Sequence, residues 1–397
     1  MSSSELLFNP FEPGFAADPY PAYRKLRQAE PVHQSPIGIW LISSYADVSA
    51  LLRSQLSVDP HNVMDGPFKV PLIEGHALSM LDRDPPDHTR LRSLVTKVFT
   101  RRSIAALEPL ITDLVNDALD RIARDGQADL VDALAFPLPF EVISRMLGMP
   151  TTDTAHVREL SGTIVRTLDM IADEEEFKKI ERAVVELDAI VADAIAWKRA
   201  HPAADLLTAL IEAEDQGDKL TDEELIAQVE LLFVTGHETT VNLISGGVEV
   251  LLRHPSQLTL LRSTPDVAPN AVEELLRYVS PVQQSRRITI EPWAVHDRVI
   301  PAGTLVIAML AAANHDESFW GPTAEKLDIT RPTAPKHLAF GGGPHHCLGA
   351  ALARLEARVA VTGLLRRFPG LAFDPGQAVE WNGRFNLRGP ARLPIVV

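Results

Sequence analysis

The 397-residue chain reads as one large domain, mainly α with small β-sheets, spanning residues 1–397. Three observations predict this class. Apolar residues recur at helical spacing through most of the middle of the chain. The remaining apolar runs are short and strand-like. No repeat, low-complexity tract or linker divides the sequence. With 46% hydrophobic and 23% charged residues, the chain has enough apolar content to bury a large core.

From the N-terminus, 21–30 reads as a short helix, and Ile39-Trp40-Leu41-Ile42 as a strand. Between Ser57 and Leu81, Pro, Gly, His and Asp break any periodicity and predict a long loop. Loops of that length in compact domains are usually functional or mobile. Helices are expected at about 87–99, 105–124, 138–147, 154–170, 174–199, 221–252 and 267–279. Short strands follow at 286–290, 294–299 and 304–308, then irregular chain over 315–340. A helix follows Cys347, and the tail alternates like a β-hairpin.

The 221–252 segment is the longest helix. Thr221-Asp222-Glu223-Glu224 matches a capping box. Leu225, Val229, Leu232, Phe233, Ile244, Val248 and Leu251 recur near helical spacing. At 1.5 Å per residue such a helix is roughly 45–50 Å long. Its centre, Thr235-Gly236-His237-Glu238-Thr239-Thr240, puts a glycine and polar groups inside an apolar rod. A Thr239 hydroxyl can bond the carbonyl four residues back, that of Thr235, and bend the helix. Gly236 would leave space beside the backbone, opening a groove for a flat cofactor with Glu238 and Thr239 at its edge. A kinked core helix with a solvated face would also produce this pattern.

Charge and cysteine usage exclude several classes. Lys and Arg total 38 against 53 Asp and Glu, a net charge of −15, which argues against nucleic-acid binding. The first ten residues carry neither a basic region nor an apolar run, so no signal peptide is read there. No run of about 18 apolar residues occurs, which predicts no membrane span and a cytoplasmic protein. One cysteine rules out a disulfide framework within the chain.

That cysteine lies in Phe340-Gly341-Gly342-Gly343-Pro344-His345-His346-Cys347-Leu348-Gly349, just before the helix-forming Ala350-Ala351-Leu352-Ala353. A helix N-terminus stabilises negative charge and suits a thiolate presented beneath a metal. A lone cysteine is more often buried and inert, and here the flanking residues decide. Phe340, Gly343, His345, Cys347 and Gly349 fall in register with the haem-binding signature of the cytochrome P450 family, and the segment closely resembles it. The resemblance is to the soluble bacterial class and extends over nearly the whole chain, with four motifs in order. It implies a cytochrome P450-like fold, haem b, and Cys347 as the axial thiolate ligand of the iron, where a thiolate favours O–O cleavage. His345 stands where the family has Arg or His for a haem propionate.

The other motifs take their roles from the same resemblance. Thr239 would help hold dioxygen and a water chain while Glu238 supplies protons, general acid chemistry. Thr235 departs from the family's usual Ala and would add a hydroxyl to the substrate wall. Glu274 and Arg277, spaced for one helix face, would form a structural cluster with Arg331. His88 and Arg92, four residues apart on one face, would bind haem propionates. Arg287 would join them, with adjacent Arg286 an open alternative, because strand alternation lets only one of the two point inward.

The chain holds neither four cysteines for an iron–sulfur cluster nor a GxGxxG or P-loop motif, so electrons would come from a separate protein. By resemblance these are a ferredoxin and a ferredoxin reductase, with NAD(P)H used indirectly. Arg90, Lys97, Arg101 and Arg102, with Arg354 and Arg358, suggest a local basic excess that could steer an acidic carrier; exposed basic residues on helix surfaces would give the same pattern. Pocket walls are expected from the 57–81 loop, the 154–199 helices, Leu231, Val234, Thr235, Val282, Gln283 and the Phe385 turn. They predict a medium-sized lipophilic natural product, such as a macrolide, polyketide, terpenoid or steroid, hydroxylated or epoxidised by a monomeric monooxygenase. A gas-sensing haem protein would not need Glu238 and Thr239, and peroxide-driven members usually lack that pair.

Overall fold

The structure, a computed structural model, describes residues 7–64, 73, 75–149, 154–169, 174–215 and 218–397; residues 65–72, 74 and 170, within the expected 57–81 loop and 154–170 helix, lie outside the described residues. Its centre is the helix Asp222–Arg253, capped as the sequence predicts by a reciprocal Thr221–Glu224 box. Around it pack Pro137–Leu147, Glu174–Ala200, Ala268–Val279 and Ala350–Arg367. One extended hydrophobic cluster, including Val229, Phe233, Ile244, Val248, Leu275 and Leu364, ties these helices together.

Gly236 borders the main cavity, as the groove expectation requires, and it also serves packing. A Cβ there would lie 3.3 Å from Ile143 Cγ1, so the missing side chain lets Pro137–Leu147 approach the long helix.

The largest sheet has four strands in the order Val32–Gln34, Trp40–Ile42, Leu305–Ala308, Ser285–Ile288. Trp40–Ile42 runs parallel to Leu305–Ala308, which pairs antiparallel with Ser285–Ile288. This register sets Arg287 opposite Val306 and Arg286 opposite Ile307. The expected 294–299 strand is instead a tight hairpin of Trp293–Val295 and Arg298–Ile300, turning at His296 with φ 53°.

The expected 105–124 helix is Glu108–Asp125, with Pro109 in its first turn, and a separate short helix, Arg101–Ala105, precedes it. Among the described residues, five further α-helices have no counterpart in the periodicity: Tyr45–Arg53, Leu206–Glu212, Pro255–Ser263 and the single turns Leu310–Ala313 and Glu317–Trp320. Ser44 and Asp205 cap the first two through side-chain oxygens, and Pro255 starts the third. The tail is only partly a hairpin. Glu380–Trp381 pairs with Pro390–Arg392, whereas Pro394–Val396 lies between Ala372–Phe373 and Gln127–Asp129. Among the described residues, no helix is long and apolar enough to cross a membrane.

Candidate active site

A cavity of about 580 Å³ opens between the middle of the long helix, the 339–349 loop, strand Ser285–Ile288 and the turn at Phe385. Leu231, Thr235, Thr239, Val282, Phe385 and Cys347 all border it. Its volume falls within the range of small-molecule sites.

The loop holding Cys347 is fixed by its glycines. Gly343 has φ +66°, and a Cβ there would fall 2.3 Å from the Leu52 carbonyl oxygen, so glycine lets the loop lie on helix Tyr45–Arg53. The Cys347 N–H donates to the Phe340 carbonyl at 2.9 Å, closing the loop. Phe340 and Gly349 line the same cavity. The Cys347 sulfur is sunk in the protein although its exposed surface opens onto the cavity. Burial pushes the thiol above its ordinary value, outweighing the amides of Gly349 and Ala350 and the charges of Arg92 and Arg354. The helix start therefore favours the thiolate, as the sequence suggests, but does not secure it.

At one edge of the cavity, basic side chains converge. His88 is 3% exposed, and among the described residues neither ring nitrogen has a hydrogen-bond partner. Its ring lies 4.1 Å from that of His345. Burial, reinforced by His88, Arg287 and Arg92, pushes His345 down to about 3. Arg287 is buried, donates to Ser285 Oγ at 2.9 Å and to the Arg286 carbonyl at 2.7 Å, and is pushed down by burial to about 10. Arg92 donates to the His346 carbonyl at 2.6 Å. The nearby Asp84 carboxylate is already occupied by Ser57 and the Val58 N–H. Buried donors gathered this way cost free energy until an acceptor arrives. Arg286 also borders the cavity, but Asp82 engages its guanidinium. Between the two alternatives, Arg287 is the arginine without a carboxylate partner among the described residues.

These residues fit haem: a flat dicarboxylate would supply the missing acceptors, and an iron would face the sulfur.

On the long helix, Thr235 donates to the Leu231 carbonyl at 2.6 Å and Thr239 to the Thr235 carbonyl at 3.2 Å. Glu238, one residue and about 100° around the helix from Thr239, does not border the cavity. Its carboxylate accepts from Arg384 Nη1 at 3.1 Å and lies 4.0 Å from His237 Nε2. Arg384 also donates to the Gly162 carbonyl at 3.1 Å, bridging helix Thr154–Ile164 to Glu238. Nothing in the Arg384 sequence context marks this bridge, because its partners are 222 and 146 residues away.

Glu274, Arg277 and Arg331 meet in a closed cluster. Arg277 grips Glu274 through two bonds of 2.8 Å and donates to the Asn314 and Ala324 carbonyls at 2.8 and 2.7 Å. Arg331 reaches both Glu274 oxygens at 3.2 Å.

Three expectations need correction. Gln283 turns away from the cavity: its side chain donates to the Val279 carbonyl at 3.4 Å and accepts from Tyr23 at 3.0 Å, while Gln284 borders the cavity instead. Val234 borders a smaller side cavity of about 130 Å³, which shares Leu231 and Thr235 with the main one. The basic excess is largely neutralised by pairing: Arg90 with Glu224, Arg354 with Glu273 and Arg358 with Glu108. The Arg101 side chain lies outside the described residues.

The cytochrome P450 family model matches residues 32–263 and 266–380. Cytochrome P450 monooxygenase PikC of Streptomyces venezuelae is 42% identical over 96% of this chain and 91% of its own length. Mycinamicin IV hydroxylase/epoxidase of Micromonospora griseorubida is 37% identical over the full length of both chains. The solved structure of the myxobacterial cytochrome P450 CYP267B1 in complex with myristic acid superposes with a TM-score of 0.90 at 35% identity, covering 98% of each chain. Family, fold and cavity agree, and the chain belongs to the cytochrome P450 family as a haem monooxygenase.

Proposed function

We propose that this monooxygenase hydroxylates or epoxidises a medium-sized lipophilic natural product of the macrolide, polyketide, terpenoid or steroid kind, using electrons from a separate ferredoxin and its reductase. The observation that carries the reading is the convergence on one cavity of a lone cysteine, a helix-borne threonine and an uncompensated basic cluster. Haem, when bound, supplies the iron that activates oxygen. Cys347 is assigned as its ligand, and His88, Arg92, Arg287 and His345 as the propionate contacts. Phe340 and Gly349 shape the loop. Thr239 presents a hydroxyl into the cavity and holds a water or proton there, while Glu238 feeds protons from the Arg384 side through solvent. Leu231, Thr235, Val282 and Phe385 supply substrate walls that are apolar apart from the Thr235 hydroxyl, which favours a lipophilic guest. The named substrate of the mycinamicin hydroxylase/epoxidase supports the macrolide choice. NAD(P)H would act only through the reductase.

The test is the absorption spectrum of reduced protein under carbon monoxide, followed by substrate titration. The family's red-shifted Soret band is expected, and Cys347→Ala should abolish it. An unchanged band in that variant would remove Cys347 as ligand. Macrolides and steroids are then titrated for a spin-state shift; a shift only with short fatty acids would overturn the substrate class.

A further inference from the structure

Away from the cysteine, His76, Asp188 and Glu230 bring one ligand atom each to within 4.8 Å of one another. They come from the segment before Met80–Asp82, from helix Glu174–Ala200 and from the long helix. His76 Nδ1 lies 3.0 Å from Asp188 Oδ2, and its Nε2 lies 3.6 Å from Glu230 Oε2. Glu230 is 5% exposed, and its carboxyl faces the His76 ring and the Asp188 carboxylate. Among the described residues, Asp188 Oδ1 is buried without a hydrogen-bond partner. Burial, with the facing Asp188 carboxylate, pushes Glu230 up to about 8. The side cavity borders His76 and Glu230 and gives room for water. Arg286, which also borders it, is engaged by Asp82.

We propose that His76, Asp188 and Glu230 bind a divalent first-row transition cation, Zn²⁺ foremost, with water from the side cavity completing its shell. One imidazole nitrogen and two carboxylate oxygens match a three-ligand zinc set with an open position. The nitrogen disfavours Mg²⁺ and Ca²⁺, which take oxygen ligands. In a tetrahedral shell the ligand atoms sit about 3.4 Å apart, so the three side chains draw inward around the ion. The ion offsets the repulsion between the buried Glu230 carboxylate and the half-buried Asp188 carboxylate and pins the His76 segment to the long helix. Leu231 and Thr235, which follow Glu230 along that helix, wall the substrate cavity, so the cation fixes one side of it.

Chelator-treated holoprotein is titrated with ZnCl₂ by calorimetry, and hydrogen exchange is followed around His76. One equivalent should bind with micromolar or tighter affinity and slow exchange there. Glu230→Gln and Asp188→Asn should each weaken binding at least tenfold and remove the protection. Absence of one-equivalent binding overturns the site, as does unchanged affinity in either variant. Should a carboxamide variant fail to fold, His76→Ala, on a half-buried segment, decides by the same criterion. The carbon monoxide spectrum reads the cysteine site independently, so the two assignments fail separately.

Discussion

Two clusters of buried arginine occupy this fold and differ in one respect. Around Glu274, the guanidiniums of Arg277 and Arg331 meet a carboxylate and the carbonyls of Asn314, Thr323, Ala324 and Lys326. Around His88, the basic groups of Arg287, Arg92 and His345 face one another, and among the described residues the nearby carboxylate, Asp84, is taken up by Ser57 and Val58. The first is complete without any ligand and stabilises the fold. The second carries the cost of buried, poorly matched donors and recovers it when a dianion binds. Residue types alone do not separate structure from binding here; the balance of donors and acceptors does.

Substitutions can break or sharpen that contrast. The largest effect is expected at the closed cluster. Arg277→Ala would remove the two bonds that grip the buried Glu274 carboxylate, leaving it Arg331 and the Asp328 N–H, and would strip the Asn314, Ala324 and Lys326 carbonyls of their donor, costing about 3–5 kcal/mol. Little folded holoprotein should be recovered, and a normal yield with full haem content would erase the distinction. At the open cluster the two readouts should diverge. Arg287→Leu should leave the haem-free protein as stable or more so by thermal melting, while haem affinity falls roughly 10- to 100-fold for one lost charged hydrogen-bonding partner, about 1.5–3 kcal/mol. Equal losses in both measurements would make this cluster structural too. The smallest effect on folding is expected at Thr239. Thr239→Ala should keep haem and substrate binding but lower product per electron roughly tenfold or more, with peroxide accumulating, at the low end of a general-acid contribution. Unchanged product per electron would remove Thr239 from proton handling.

How far the sequence could be read follows the same contrast. Local spacing carries the Cys347 loop, the capping box at Thr221 and the Glu274–Arg277 pair, because each is set by neighbours within one turn or one loop. Errors arise where distant segments decide. Gln283 and Gln284 are adjacent, and bonds with the distant Tyr23 and Asn386 fix which faces inward. The groove at Gly236 is legible, but its second role as the seat of Ile143 depends on a segment far away in sequence. Arg354 and Arg358 count as free charges in a sequence, yet Glu273 and Glu108 hold them across 81 and 250 residues. The His76–Asp188–Glu230 group likewise joins three segments that share no motif.

Arg384 has a practical consequence for anyone adapting this enzyme. One guanidinium binds both the Gly162 carbonyl on helix Thr154–Ile164 and the Glu238 carboxylate. Libraries that shift that helix to accept a new substrate therefore also disturb the anchor of the residue assigned to proton supply. Variants chosen only for a bigger pocket would then waste reductant, and a screen that scores product against cofactor consumed would reject them at the first round.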